Sequence, residues 1–239
     1  MLVTEDLVFL HIPKTGGTFI QTVLGKHLRV LDHESVLDDR TWSHTPYSSL
    51  PAQWRHLPVF CVVRNPWDWY VSWFEYQMKR GPRRARIQGE DRWGKLAVWE
   101  GAFRGGDADF KEAVTHACTG SFDHPLTPVM RDEGIDLYSA RVREIAGAAL
   151  DHPNFTVLRF ERGLRKELVR FLRARIDVPQ PLLKAIRDHP PIRSSVHGPY
   201  QDYYDDELRE LVGERARWLC ERFGYRYRRH SRQRTRAQT

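Results

Sequence analysis

The segment Val8-Phe9-Leu10-His11-Ile12-Pro13-Lys14-Thr15-Gly16-Gly17-Thr18 constrains this chain more than any other. Residues 7–11 form an apolar run that reads as a short buried strand. A tight turn follows, and residues 18–30 then read as a helix, with Phe19, Ile20, Val23, Leu24 and Leu28 at helical spacing. Two adjacent glycines let backbone N–H groups approach an anion with no Cβ in the way. The helix that follows points its positive end at the same spot. Lys14 adds a full charge, and Thr15 and Thr18 add hydroxyl donors. Together these residue types make a cradle for phosphate or a related tetrahedral oxyanion, although a plain strand–turn–helix also accommodates them. Lys14 precedes the glycines, whereas a Walker A loop places its lysine after them, so a kinase reading loses its best support.

A second segment has the same logic. Residues 58–63 read as another buried strand, and Arg64 leaves its carboxyl end, where α/β sheets place ligands. The guanidinium fork suits phosphate, and it equally suits a structural ion pair. Asn65-Pro66 opens a helix, with Asn at the N-cap and Pro at N1, running to about residue 80. Ser72 lies inside it. Asp68 reads as a structural residue of the helix start, and Trp67, Trp69, Trp73 and Phe74 as packing residues.

Elsewhere the pattern predicts a short helix over 47–55, irregular structure over 81–106, and helices over 108–118 and 139–150. A third strand is predicted over 155–159, followed by a helix over 161–175, a Pro-rich loop over 188–199 and a last helix over 205–223. The Gly81-Pro82 pair argues against a regular helix there. Strands alternating with helices imply an α/β fold, a parallel sheet with helices on both faces.

Composition sharpens the class. An apolar fraction of 41% over 239 residues supports a sizeable core. No run approaches a bilayer span, and Glu5 and Asp6 interrupt any signal-peptide pattern. Three scattered cysteines suit neither a disulfide scaffold nor a zinc site, so a reducing, cytoplasmic setting is expected. Residues 214–239 hold nine arginines against two glutamates, which accounts for the whole net charge of +7. The division expected is one domain over 1–225 and a basic, disordered tail over 226–239. That tail also suits an anion-binding arm for nucleic acid or an acidic polymer.

The run His11-Ile12-Pro13-Lys14-Thr15-Gly16-Gly17-Thr18 resembles the 5′-phosphosulfate loop of the sulfotransferase superfamily, closest to the branch of carbohydrate (heparan and chondroitin type) sulfotransferases and their bacterial relatives. Arg64-Asn65-Pro66, with Ser72 eight residues past the arginine, resembles that family's 3′-phosphate site. Phe160-Glu161-Arg162-Gly163-Leu164 resembles the segment after its third strand, with a structural acid. Residues 192–204 and Phe223-Gly224-Tyr225 resemble its C-terminal end; residues 81–135 match nothing nameable. The resemblance implies a P-loop-like, three-layer domain with a central parallel sheet flanked by helices. It implies an enzyme that uses 3′-phosphoadenosine-5′-phosphosulfate (PAPS) as sulfuryl donor, without a metal, on a hydroxyl of a carbohydrate or small molecule. Pro13, Lys14, Thr15, Gly16, Gly17 and Thr18 would hold the phosphosulfate, Arg64 and Ser72 the 3′-phosphate, and Arg193, Ser194 and Ser195 would close over the nucleotide. A soluble bacterial member with no membrane anchor is expected, and no nucleic-acid partner.

Sulfuryl transfer is mostly positioning and charge stabilisation, by analogy with phosphoryl transfer. Lys14 suits the departing bridging oxygen. A histidine suits the base that takes the acceptor proton. His44, between the two anchors in sequence, is the first candidate. His33, flanked by Asp32 and Glu34, is the rival. His11 reads as a packing or turn residue. Arg83, Arg84 and Arg86 suit an anionic acceptor or a solvated loop. The alternatives are a nucleotide phosphotransferase, which needs Mg²⁺, and a non-catalytic binder acting through the Arg-rich tail.

Overall fold

The computed structural model describes residues 1–32, 44–88, 109–122, 124–192 and 197–229. His33, Arg193, Ser194 and Ser195 lie outside the described residues, as do the side chains of Arg83, Arg84 and Arg86. The described chain is α/β, built on a five-stranded mixed sheet. Its strands are β1 (Leu2–Thr4), β2 (Val8–Leu10), β3 (Val30–Asp32), β4 (Val59–Val63) and β5 (Phe155–Arg159), in the order β3-β1-β2-β4-β5.

β2, β4 and β5 run parallel, with Val8 opposite Val59 and Val59 opposite Phe155. β1 runs antiparallel to both β2 and β3, so the expected parallel sheet holds for three strands and the whole is mixed. The β1–β2 hairpin is closed by Thr4, whose Oγ1 donates to Leu7 O and accepts from Asp6 N and Leu7 N. The predicted strands over 7–11, 58–63 and 155–159 are all present. β1 and β3 are not among the predicted strands.

The helices are α1 (Gly17–His27), α2 (Pro66–Gln88), α3 (Phe110–Thr119), α4 (Thr127–Glu133), α5 (Leu137–Ala146), α6 (Leu164–Arg173), α7 (Gln180–Asp188), α8 (Asp206–Arg215) and α9 (Arg217–Phe223). β4 shows why they divide into two sets. Its five residues are fully buried, and the strand period of two sends them to opposite faces. Phe60 and Val62 join one core with Phe9, Leu158 and the apolar stripes of α1, α6 and α7. Val59, Cys61 and Val63 join a second core with Trp69, Tyr70 and Trp73 of α2 and residues of α3, α4, α5, α8 and α9. Each large apolar side chain so buried contributes roughly 1.5–3 kcal/mol.

Three expectations are corrected. Residues 81–88 continue α2 through Gly81-Pro82 instead of breaking it. The flanking Met78, Lys79, Arg83, Arg84 and Ala85 are good helix formers, and one lost backbone bond does not outweigh them. The last helix is two helices that meet at Ala216, whose backbone (φ −90°, ψ 14°) leaves the α region. The packed chain also passes the expected boundary at 225. Arg226 O accepts from Asn65 Nδ2 (3.2 Å), and the Tyr227 ring meets Trp67 edge-on. Arg228 N donates to Tyr200 Oη (2.9 Å), and its carbonyl accepts from Gln201 Nε2 (2.8 Å). Among the described residues no helix is long and apolar enough to cross a membrane.

Candidate functional site

The three parallel strands end side by side, and each carboxyl end carries one piece of the candidate site. After β2 comes the turn 11–16; after β4 comes Arg64; after β5 come Phe160 and Glu161. These pieces touch. Arg64 Nη1 donates to Lys14 O (3.3 Å), and the guanidinium lies over the Phe160 ring, 4.6 Å from its centroid. Arg64 Nε pairs with Asp68 Oδ2 at 2.6 Å, and Arg64 N donates to Tyr138 Oη at 2.8 Å. Arg64 is 7% exposed. Both readings of it therefore meet in one side chain: it makes a structural ion pair, and it stands at the strand end beside the lysine turn.

The turn is strained and tightly held. Lys14 has φ +63°, the one positive φ outside glycine among the described residues. A non-glycine residue persists there only when its surroundings over-determine it. Here Thr15 Oγ1 donates to Ile12 O (2.8 Å), Trp69 Nε1 donates to Pro13 O (2.8 Å), and Arg64 holds Lys14 O. The Thr15 hydroxyl is thus spent on the turn and fully buried, which corrects its reading as a donor to an anion. Pro13, Lys14, Gly16 and Thr18 keep part of their surface open.

Packing explains the glycines more directly than ligand access does. A Cβ on Gly17 would stand 1.9 Å from His11 Cδ2. A Cβ on Gly16 (φ +84°) would meet Leu164 Cδ2 at 2.4 Å. Gly17 lets the His11 ring lie against the start of α1, where His11 Nδ1 bonds Gln21 Oε1 at 3.0 Å. His11 is buried and structural, as its sequence position suggests.

The His44 ring lies against that of His11 in a tilted arrangement, with centroids 4.6 Å apart and planes at 59°. Its Nδ1 lies 2.8 Å from His11 O. A carbonyl oxygen only accepts, so Nδ1 carries the hydrogen and Nε2 carries the lone pair of the neutral ring. Burial pulls the His44 pKa down to about 4, and Arg141 adds to this, while the bond to His11 O opposes it. His44 is therefore a neutral imidazole at pH 7, tied to the residue that opens the turn.

α2 supplies the remaining wall. Asn65 Oδ1 caps it by accepting from Trp67 N (3.1 Å), as the Asn-Pro pair predicts. Asp68, Ser72 and Tyr76 recur every four residues and share one face. Asp68 pairs with Arg64, Ser72 is buried at 3% exposure, and the Tyr76 ring carries Lys14 Nζ 3.9 Å from its centroid. Glu161 binds Asn65 N through one carboxylate oxygen and the Tyr225 hydroxyl (3.3 Å) through the other. Desolvation of that carboxylate raises its pKa, although the residue keeps exposed surface. Its role is structural, as expected.

No protein-family model matches the chain, and no curated protein matches it. What the structure brings together is Lys14 and Arg64, through the bond to Lys14 O; Ser72 is buried on α2, one helical step beyond the Asp68 that pairs with Arg64, and His44 is bonded to the backbone of His11. Tyr76 is the residue that sequence reasoning missed. Its four-residue spacing from Ser72 is a signal, but only the tertiary contact with Lys14 gives it meaning. Among the described residues no group of three or more His, Cys, Asp or Glu side chains gathers at one point to hold a metal ion.

Proposed function

We propose that this chain is a PAPS-dependent sulfotransferase acting on a hydroxyl of a carbohydrate or small molecule, on a P-loop-like three-layer fold whose parallel β2, β4 and β5 form its centre. The observation that carries the reading is the bond from Arg64 to Lys14 O: two cationic anchors at adjacent strand ends, one for each charged end of the donor. Separately, each anchor has a structural explanation. Their adjacency beside a strained lysine suits a nucleotide that is charged at both ends.

The residues present fit such a donor. Lys14 Nζ neutralises charge on the bridging oxygen as it departs. Backbone N–H groups at the start of α1 and the Thr18 hydroxyl hold the sulfuryl oxygens. Arg64 and Ser72 hold the 3′-phosphate, with Arg193 and Ser195 as further candidates beyond the described residues. The donor supplies an SO₃ unit, which passes from its bridging phosphate oxygen to the acceptor oxygen and leaves adenosine 3′,5′-bisphosphate. His44 Nε2 takes the acceptor's proton. A pKa near 4 makes it a weak base in the free protein, and negative charge brought by the donor raises it toward the useful range.

The test is labelled-sulfate transfer from PAPS to a panel of glycans and small alcohols. Transfer by the wild type that falls about 10²–10⁴-fold in His44→Ala, with bisphosphate affinity retained, supports the assignment. The same loss in His33→Ala, with His44→Ala active, moves the base to His33. No transfer to any acceptor, with no bisphosphate binding, rejects the function.

A further inference from the structure

We infer that Tyr76 is a positioning residue that holds the Lys14 ammonium ready for an anion; this rests on the proposed reading of the Lys14 turn as the phosphosulfate site. A lysine head group sits on a flexible four-carbon stem, and fixing it costs most of that stem's rotamer entropy. A site that meets its anion with a freely rotating lysine loses that amount on binding. Here two features fix Lys14 beforehand. The backbone is locked at φ +63° by bonds to the carbonyls of residues 12, 13 and 14. The side-chain end then rests on the Tyr76 ring face, with Nζ 3.9 Å from the centroid, well inside cation–π range.

The choice of a ring matters. A carboxylate in this place would hold Lys14 as well, but it would cancel the charge and have to be displaced by the incoming anion. An aromatic face attracts the ammonium through its quadrupole, leaves the full positive charge, and contacts only one side of it. Tyr76 is itself fixed, because it lies on α2 two helical steps beyond Asp68, and the Asp68–Arg64 pair anchors that helix face to the end of β4. The ring, the lysine and the arginine thus form a connected set spanning β2, β4 and α2. The phenolic oxygen has no part in this role, which makes the prediction specific: phenylalanine should substitute and leucine should not.

The experiment measures binding of adenosine 3′,5′-bisphosphate by calorimetry to the full chain and to Tyr76→Phe, Tyr76→Leu, Lys14→Ala and the Lys14→Ala/Tyr76→Leu double variant. Binding to Tyr76→Leu is expected to weaken about fivefold, while Tyr76→Phe stays within about twofold of wild type. In the Lys14→Ala background the leucine substitution should have no further effect, since its action runs through that lysine. A packing role would cost the same in both backgrounds, and that result overturns the inference. So does wild-type affinity in Tyr76→Leu, or a loss in Tyr76→Phe equal to that in Tyr76→Leu. Absence of heat with the wild type overturns the nucleotide reading and this inference with it. Heat with the wild type and no Tyr76 dependence overturns the inference alone. A ligand-free check is the NMR shift of the Lys14 ε-methylene protons. It should lie upfield through the ring current in wild type and Tyr76→Phe, and return to the ordinary lysine position in Tyr76→Leu; an ordinary position in the wild type overturns the contact.

Discussion

Arg64 and Lys14, fifty residues apart in sequence, meet where a guanidinium N–H of the first donates to the backbone carbonyl of the second at 3.3 Å. The bond joins the carboxyl ends of β4 and β2, neighbouring parallel strands. Arg64 also grips Asp68 at the start of α2 and stacks on Phe160 beyond β5. One side chain therefore sets the relative positions of the lysine turn, the α2 face and the β5 end. A change in any of the three is felt at the others.

Gly17→Ala tests how the turn is built. The added methyl group overlaps the His11 ring, which also meets the His44 ring at 4.6 Å between centroids. The ring has to move and its bond to Gln21 has to break. A cost of about 1–3 kcal/mol is expected from overpacking, read as a lower midpoint in urea denaturation. The neighbouring Gly25, whose Cβ would meet nothing within 4 Å, is the control: Gly25→Ala should be neutral or stabilising.

The sequence disclosed those parts of the molecule whose signal is local. The β2–turn–α1 segment is legible because an apolar run, two glycines and a helical stripe follow one another without a gap. The Asn65 cap is legible because Asn-Pro has one strong meaning at a helix start. The packing roles of Gly17 and Thr15 are not legible in the sequence, because both depend on what packs behind the turn: the His11 ring in one case and the Ile12 carbonyl in the other. α4 and α7 are not among the predicted helices; each is short, and α7 opens between two prolines, Pro179 and Pro181. Tyr76 shows the limit most clearly. Nothing within ten residues of it hints that its partner is Lys14.

The pH dependence of stability follows from His44. Its pKa is 6.5 unperturbed and about 4 in the fold, lowered chiefly by burial. Between those values the unfolded chain binds a proton that the folded chain does not, so stability increases with pH through this window. It is lost as the pH falls from about 6.5 to about 4, by up to about 3 kcal/mol. His124, also lowered to about 4, acts in the same direction, whereas the buried Asp136, whose pKa is raised, acts in the opposite one. Urea titrations at a series of pH values should show a shallower slope for His44→Asn than for wild type. Equal slopes would show that His44 is not held neutral.

Truncation separates the docked and the terminal parts of the basic end. Residues 226–228 are bonded to Asn65, Tyr200 and Gln201. Deleting 230–239 is expected to leave thermal stability and bisphosphate affinity nearly unchanged. Deleting 226–239 removes the Tyr227 ring from Trp67 and the acceptor of Asn65 Nδ2, and should lower the midpoint by several degrees. Loss of nucleotide binding on the shorter deletion would instead favour a binder that acts through its arginine-rich end.

In the proposed function Lys14 and Arg64 together grip one nucleotide that carries charge at both ends. Calorimetric titration with adenosine 3′,5′-bisphosphate tests it most directly. One-to-one binding is expected, weakening at least about tenfold in Lys14→Ala and in Arg64→Lys, where a point charge replaces a fork. Absence of heat with the wild type, or affinity unchanged in both variants, would contradict it.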